Sequence, residues 1–195
     1  MISVQLTFQK IQRGFTLIEL LIVIAILGVL AAAVLSAINP VEQINRGRDT
    51  GSLSDAEQLQ SAISRFNAAQ GYLPWVVSEG TDPVLGWTLV DMTHWVNDAG
   101  TPLAVLTLLS NDPTNGTGEL LPAYISRVTA TSYNSLYVYK NSATGSSVYV
   151  CYKPQSGAIT TKAKNRCNTS ADKPADFPSE ACDFNGSGDY YACLP

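Results

Sequence analysis

One apolar run near the N-terminus restricts the fold of this chain more than any other feature. It extends from Phe15 to Ile38, 24 residues, and after Leu20 every residue in it is apolar or small, with Ser36 the only hydroxyl. As a helix this run would be about 36 Å long, at ~1.5 Å per residue. The hydrocarbon core of a bilayer is about 30 Å thick, so the run is long enough to cross it.

The residues before the run differ from an ordinary secretory signal. Lys10 and Arg13 precede the run, and Gly14 stands directly before it. A secretory signal would carry a small-residue cleavage site after its apolar segment, whereas Ala31–Ala33 lies inside this one. Basic residues on the N-terminal side predict that this end stays in the cytoplasm and that the rest of the chain lies outside. A plain signal anchor would share these properties.

A carboxylate inside the run is the feature that a plain anchor does not explain. Glu19 in a membrane-spanning helix would cost on the order of 3 kcal/mol, so such a residue usually has a partner. No Lys or Arg lies one helical turn away. Cleavage between Gly14 and Phe15 would create an α-amino group at the same depth, within reach of Glu19 on the same helix or on a neighbouring one.

The stretch Gly14-Phe15-Thr16-Leu17-Ile18-Glu19 resembles the processing motif of type IV prepilins and type II secretion pseudopilins. The resemblance covers Lys10 to about Trp75. It implies that a prepilin peptidase removes the leader at the cytoplasmic side and methylates Phe15. It also implies that Glu19 neutralises the N-terminal amine of an adjacent subunit during filament assembly.

The resemblance therefore predicts a structural subunit of an extracellular or periplasm-spanning helical filament. Its implied partners are further copies and related pilins, the prepilin peptidase and an inner-membrane assembly platform. The subunit would cross the inner membrane once before assembly and lie in a cell-surface filament afterwards. A type II secretion pseudopilin is an alternative, and a monomeric membrane-anchored binding protein is a second one. An anchor needs neither the Gly14–Phe15 junction nor Glu19, so both features favour the filament subunit.

The chain divides into four predicted parts: a leader (1–14), an apolar helical half (15–38), an amphipathic helical half (39–70) and a globular head (71–195). We predict one long helix from Phe15 to about Gln70. Pro40 removes a backbone donor, and Gly47 and Gly51 lower helix propensity, so soft points are expected there. Seven residues at helical spacing form the apolar face that should pack on the head: Leu53, Ala56, Leu59, Ala62, Ile63, Phe66 and Ala69.

The head is predicted to complete an α+β fold, with the long helix on an antiparallel sheet. Strand signals are strongest in 135–140, 147–153 and 190–195. The first two segments are predicted to form a hairpin, with 141–146 as its polar link. Short helices are expected at Leu103–Leu109 and within 118–126. The segment from Pro154 to Gly188 is predicted to be a polar loop.

The four cysteines lie in the last quarter of the chain: Cys151, Cys167, Cys182 and Cys193. An even number in an exported segment predicts two disulfides in an oxidising compartment. Zinc is the competing interpretation, but there is no C-x-x-C and His94 is the only histidine. Three pairings are open. Sequential pairing (Cys151 with Cys167, Cys182 with Cys193) closes the shortest loops. Nested pairing (Cys151 with Cys193, Cys167 with Cys182) would link the last strand covalently to the sheet. The Tyr-rich strand contexts of Cys151 and Cys193 favour the nested one.

No catalytic motif is present, so we predict that the chain is not an enzyme and uses no cofactor. His94 stands alone among apolar residues, and a packing role is predicted for it. The formal net charge is −4 and no run of Lys or Arg occurs, which argues against nucleic-acid binding.

One stretch resembles the first half of a calcium-binding loop. Oxygen-bearing side chains stand at alternate positions of it: Asp183, Asn185, Ser187 and Asp189. The twelfth place holds Leu194 instead of the glutamate that such a loop needs, although Glu180 could supply a ligand from the other side. A polar, glycine-rich turn before the last strand is the alternative interpretation.

Overall fold

The computed structural model describes residues 14–78, 80, 83–100, 103–143, 145–169, 173–183 and 186–195. The chain forms two compact units, one ending at Pro40 and the other comprising Val41–Pro195. The first unit contains helix α1, Leu17–Ala37. By length and composition, its residues Leu17–Ser36 are sufficient to cross a membrane.

The predicted long helix is interrupted at one point, which is the soft point expected at Pro40, so the segment forms two helices. Helix α1 ends at Ala37, the C-cap residue Ile38 has an extended backbone, and helix α2 spans Pro40–Gln70. A residue that precedes proline is disfavoured in helical geometry, which accounts for the interruption at Asn39. Pro40 is the first residue of α2, where a missing N–H leaves no helical hydrogen bond unmade. Helix α2 continues without a break through the two glycines at 47 and 51.

Helix α2 buries the apolar face that its periodicity predicts. The core of this face is no more than 2% exposed: Ala56, Leu59, Ala62, Ile63 and Phe66. Leu53 is partly buried, and Ala69 at the end of the helix is exposed. Three polar residues, Asp49, Ser52 and Asp55, extend the buried face toward the start of α2. The sequence pattern did not identify them.

Four antiparallel strands form the sheet, in the spatial order β1-β2-β3-β4. Their bounds are Leu85–Leu89, Leu136–Lys140, Val148–Tyr152 and Ala192–Leu194. Strand β1 was not predicted, because its five residues include a glycine and do not alternate between polar and apolar side chains. Two short helices, α3 (Val105–Leu109) and α4 (Pro122–Val128), precede β2. The predicted α+β class is confirmed.

Alternating side chains of the central strands face two separate apolar clusters. Leu136, Val138 and Val150 pack with α2, α3 and two buried tryptophans, Trp75 and Trp95. The opposite face of the sheet carries a second cluster built from aromatic and cysteine side chains: Tyr149, Cys151, Phe177, Tyr191 and Cys193. The sheet therefore separates the α2 core from a smaller core at the C-terminal end of the chain.

The segment predicted as a polar loop from Pro154 to Gly188 instead contains helix α5, Gly157–Asn168. The helix was missed because Ala163 is its only buried residue, so it has no apolar stripe. Ser156 is its N-cap and accepts a hydrogen bond from the Ile159 N–H. A 3₁₀ turn at Ser179–Cys182 follows. Two carboxylates of α2, Asp49 and Glu42, accept hydrogen bonds from backbone N–H groups at the start of α5.

Candidate functional site: the N-terminal segment and the polar contacts of the head

The start of α1 is closed by a reciprocal pair of side-chain contacts. Glu19 Oε2 accepts hydrogen bonds from the Thr16 backbone N–H at 2.9 Å and from Thr16 Oγ1 at 2.8 Å. Thr16 Oγ1 accepts one from the Glu19 N–H at 3.3 Å. This is a capping box, in which two otherwise unpaired backbone donors are satisfied. The Thr-x-x-Glu spacing at the start of the apolar run is typical of a capping box and would have identified Thr16 as the N-cap of α1. This role of Thr16 was not predicted.

The predicted cleavage point lies immediately before this cap. Gly14 and Phe15 are not helical, and the Phe15 side chain is 74% exposed. The Phe15–Thr16 amide, which supplies one donor to Glu19, is not the bond that cleavage would break. The capping box can therefore form before and after removal of the leader.

Helix α1 presents apolar side chains around its whole circumference. Large hydrophobic residues along it are between 45% and 86% exposed, with Val23 and Leu17 at the two extremes. Contiguous apolar surface of this extent marks contact with a membrane or with other protein. The only acidic residue in the first turn is Glu19, and the last turn has no basic residue.

Asp49 connects α2 to the start of α5. Its side chain is fully buried, and its carboxylate accepts hydrogen bonds from the backbone N–H groups of Gln155 and Ser156, each at 2.8 Å. It also accepts one from Ser156 Oγ at 2.5 Å. Glu42, one further α2 carboxylate, accepts from the Gly157 N–H at 3.1 Å. Carboxylates at a helix N-terminus are favoured by the helix dipole, so α2 provides a capping surface for α5.

Asp55 forms the second buried polar contact of α2. Its carboxylate is bonded by the guanidinium of Arg127 and by the hydroxyl of Tyr133. Its backbone carbonyl accepts from the Tyr124 hydroxyl at 2.7 Å. Burial, followed by the nearby negative charge of Asp55, raises the pKa of Tyr124. These contacts attach α4 and the loop after it to α2.

A groove with a volume of about 580 Å³ lies beside this contact. Both of its arginines and its asparagine are engaged in contacts within the head. Arg127 binds Asp55, Arg48 donates to Gln155, and Asn134 donates to Ser52 Oγ and to a backbone carbonyl. The groove is therefore lined by polar contacts that join α2 to the loops.

The structure pairs Cys151 with Cys193 and Cys167 with Cys182. This is the nested arrangement that the strand contexts favoured. The first bridge joins directly opposed residues of β3 and β4. The second joins α5 to the 3₁₀ turn. The short last strand is therefore covalently attached to the sheet, and α5 is covalently attached to the turn that precedes this strand.

Asp176 joins the second core to the start of β3. Its carboxylate accepts from the Ser147 N–H at 2.7 Å and from the Tyr149 hydroxyl at 2.9 Å. The hydrogen bond from Ser147, partly opposed by desolvation, lowers the pKa of Asp176 below its ordinary value. Burial, followed by the hydrogen bond to Asp176, raises the pKa of Tyr149 to about 12.

Asp176 should therefore make the stability of the head depend on pH in the acid range. A carboxylate whose pKa is lowered by folding stabilises the native state above its unfolded pKa, near 3.8, and this contribution is lost as the pH falls through the folded value. We expect Asp176→Asn to reduce the free energy of unfolding by about 1 kcal/mol at neutral pH. The difference from wild type should shrink toward zero in chemical denaturation below the pH at which Asp176 protonates. A difference that is constant down to that pH would contradict this assignment.

His94 is not a packing residue, so that prediction is wrong. Its side chain is 67% exposed, and Nδ1 lies 2.5 Å from Asp91 Oδ2. Asp91 also accepts hydrogen bonds from the backbone N–H groups of Thr93 and His94. The apolar neighbours of His94 suggested that its side chain is buried. The buried side chain of this turn is instead that of Trp95, the next residue, which is fully buried.

The described part of the predicted calcium stretch has other partners. Asp189 pairs with Lys153 at 2.7 Å, and Asp183 accepts from the Gly188 N–H at 2.7 Å. Asn185 lies outside the described residues, and Ser187 is exposed. Within the described ranges, no three His, Cys, Asp or Glu residues are grouped as a metal site would require. Calcium binding stays a prediction from the sequence pattern.

Comparison with known proteins identifies the class to which this N-terminal segment belongs. Residues 9–35 match the family model of the prokaryotic N-terminal methylation motif. The match is confined to the N-terminal methylation motif and most of α1, and it supports the resemblance to prepilins that the sequence predicted there.

Two fimbrial proteins are similar to the N-terminal part of the chain. Fimbrial protein EcpC of Eikenella corrodens is 38% identical over 66 residues, which are 34% of this chain and 42% of that protein. Type IV major fimbrial protein FimA of Dichelobacter nodosus is 36% identical over 80 residues, 41% of this chain and 46% of that protein. The chain thus spans less than half the length of these curated relatives. No solved structure gave a significant match.

Proposed function

We propose that this chain is a structural subunit of a type IV pilin-like filament outside the cytoplasm, assembled by packing of α1 helices in the filament core. One observation carries the proposal. An apolar helix exposed on all sides begins with a single carboxylate, directly after the Gly14–Phe15 junction. The fimbrial names of the similar proteins support a pilin more than a secretion pseudopilin. The role is non-catalytic.

The capping box gives the proposed charge pairing a physical basis. Thr16 holds the Glu19 carboxylate at the first turn of α1, on the side from which the chain enters the helix. After cleavage that side carries the Phe15 α-amino group. In an apolar filament core an unpaired charge is costly, so the carboxylate of one subunit pairs with the amine of a neighbour. Methylation keeps the amine charged, and the pair fixes the axial register between subunits.

The remaining partners follow from this role. Before assembly α1 crosses the inner membrane, with the head outside the cytoplasm. A prepilin peptidase cuts after Gly14 and methylates Phe15, and an inner-membrane platform inserts the subunit into the filament. The mature chain keeps 10 basic and 16 acidic side chains, a formal charge of −6, because the leader contains Lys10 and Arg13 and no acid.

Intact-mass spectrometry of the protein from producing cells tests the processing step. We expect a chain that begins at Phe15 and is heavier by one methylene group than the unmodified sequence from that residue. Material that begins at Met1, or that is cut after Ala33, would contradict the proposal. Electron microscopy of the same cells should show surface fibres that an antibody against the head labels.

A further inference from the structure

The groove beside Asp55 has the size and the charge of a site for a small anion. Its volume of about 580 Å³ is within the range that is typical of small-molecule sites. Polar side chains of α2, of α4 and the loop after it, and of the segment before α5 line it. Two arginines and one aspartate among them give the lining one net positive charge, in a chain whose formal net charge is −4. Such a groove favours an anionic ligand.

Arg48 provides the positive charge that the head does not neutralise. Its Nη1 donates to the amide oxygen of Gln155 at 3.2 Å, and it forms no ion pair with a carboxylate in the described part of the chain. The other arginine of the groove, Arg127, is paired with Asp55, whose side chain is only 6% exposed. A guanidinium group has five N–H donors in one plane, so Arg48 keeps donors for bidentate pairing with a carboxylate.

Two side-chain amides of the groove keep hydrogen-bonding capacity. Asn134 donates both of its amide hydrogens within the head, to Ser52 Oγ at 3.1 Å and to the Lys153 carbonyl at 2.7 Å. These bonds fix its orientation, and its amide oxygen accepts no hydrogen bond from a described residue. Gln58 is exposed on α2 and has no hydrogen bond within the described ranges. A planar amide can donate and accept at once, which suits a ligand that carries hydroxyl groups.

Gly51 leaves the α2 side of the groove open. It lies in the interior of α2, where glycine is the least favourable residue after proline. A Cβ atom added there would have no described atom within 4 Å, so packing inside the chain does not require glycine. Gly51 belongs to the lining of the groove, and a larger side chain would therefore occupy part of it. Glycine at this position is consistent with a groove that stays open for a ligand.

We propose that this groove binds an acidic sugar, namely a uronic acid unit of a polysaccharide. The sugar carboxylate pairs with the guanidinium of Arg48, and the ring hydroxyls form hydrogen bonds with the amides of Gln58 and Asn134. A guanidinium alone would suit any carboxylate or phosphate. The amides beside it favour a ligand that carries hydroxyl groups next to its charge. The site lies on the head of a single subunit, so it goes beyond the proposed function and does not depend on filament assembly.

Titration of the isotope-labelled full-length chain with sodium D-glucuronate, followed by NMR in a detergent without a sugar head group, tests binding. We expect saturable shifts of the backbone amides of residues 48–58 and 132–134, with a Kd on the order of 1 mM. D-Glucose supplies hydroxyls without the charge, and sodium acetate supplies the carboxylate without the ring. Each should bind at least about tenfold more weakly. Equal affinity for either control, or no saturable shift in these residues, would overturn the inference.

Two glycine variants separate ligand binding from stability of the fold. Gly51→Leu fills part of the groove, whereas Gly47→Leu adds the same side chain one helical turn earlier, outside the lining. Both should raise the midpoint of thermal unfolding by about 2–3 °C, because leucine is a better helix former and neither Cβ would have a described atom within 4 Å. Only Gly51→Leu should lose glucuronate binding. Binding that survives in Gly51→Leu, or that is lost equally in both variants, would contradict the proposal.

A matched pair of arginine variants tests the charge. Arg48→Gln removes the guanidinium and one exposed hydrogen bond, and Arg46→Gln removes an exposed arginine of α2 that does not line the groove. We expect Arg48→Gln to weaken glucuronate binding about tenfold and to leave the weak binding of glucose unchanged. Arg46→Gln should bind like wild type. Equal glucuronate affinities of the two variants would show that Arg48 does not bind the carboxylate, and the proposal would fail.

These outcomes are independent of the proposed function, because they are measured on the isolated subunit. Cells that make no fibre from this chain would remove the proposed function and leave the sugar site standing. Fibres from a chain that does not bind glucuronate would leave the proposed function intact and remove the sugar site alone. A chain without glucuronate affinity whose Arg48→Gln variant also builds fewer fibres would assign Arg48 to a contact between subunits, and would overturn the sugar site.

Discussion

Replacing Glu19 by glutamine is expected to lower filament yield by at least about tenfold while leader cleavage and membrane insertion continue. Glutamine can take the same place in a capping box, so Glu19→Gln keeps the helix start and removes only the charge. The neighbour's Phe15 amine would then be left without a counter-charge in the apolar core. Leaving one member of a buried ion pair unpaired typically costs about 3–5 kcal/mol. Quantitative immunoblotting of sheared fibres and of the membrane fraction measures both quantities.

Two further variants separate the charge from the cap. Glu19→Leu removes both, and it should insert into the membrane at least as well as wild type and assemble no better than Glu19→Gln. Thr16→Ala keeps the carboxylate and removes the hydroxyl of the cap, a loss of about 1 kcal/mol in helix stability. Its processed form should assemble much more like wild type. If both Glu19 variants are processed normally and build fibres at wild-type yield, Glu19 is not an assembly residue, and the membrane-anchor hypothesis gains support.

Replacing Asp49 by alanine is expected to reduce the free energy of unfolding of the head by about 3–5 kcal/mol. The carboxylate is fully buried and accepts from two backbone N–H groups and one hydroxyl at the start of α5. Alanine would leave these donors without their acceptor, and a buried donor left unpaired, as the two of Ser156 would be, costs about 1–3 kcal/mol. Thermal and chemical denaturation monitored by circular dichroism gives the difference.

Matched variants distinguish the buried contact from the loss of a charge. Asp49→Asn retains one carbonyl acceptor and should fall between wild type and Asp49→Ala. Asp98→Ala removes an exposed carboxylate and should change the free energy of unfolding by less than about 0.5 kcal/mol. Hydrogen exchange should be accelerated first in α5 of the Asp49 variants. An Asp49→Ala protein as stable as Asp98→Ala would show that α5 does not depend on this contact.

The features of the N-terminal segment could be predicted from the sequence because the residues that indicate them are close together in the chain. The apolar run, the Gly14–Phe15 junction and Glu19 lie within a few turns of one another, and a helix of apolar residues needs no distant partner to be recognised. The same applies to the apolar face of α2 and to strands β2 and β3, where alternating Tyr and Val residues follow the strand period.

Only the tertiary structure decided the elements whose stability comes from distant residues. Helix α5 has no apolar stripe of its own, and its start is held by Asp49, 107 positions earlier in the chain than Ser156. Strand β1 exists because it pairs with β2, about fifty positions later. From the sequence alone, Asp55 would be assigned to the exposed side of a helix. In the structure its carboxylate is buried by contacts with Arg127 and Tyr133. A buried carboxylate is stable only beside its donors, and no local pattern in the sequence records where those donors will be.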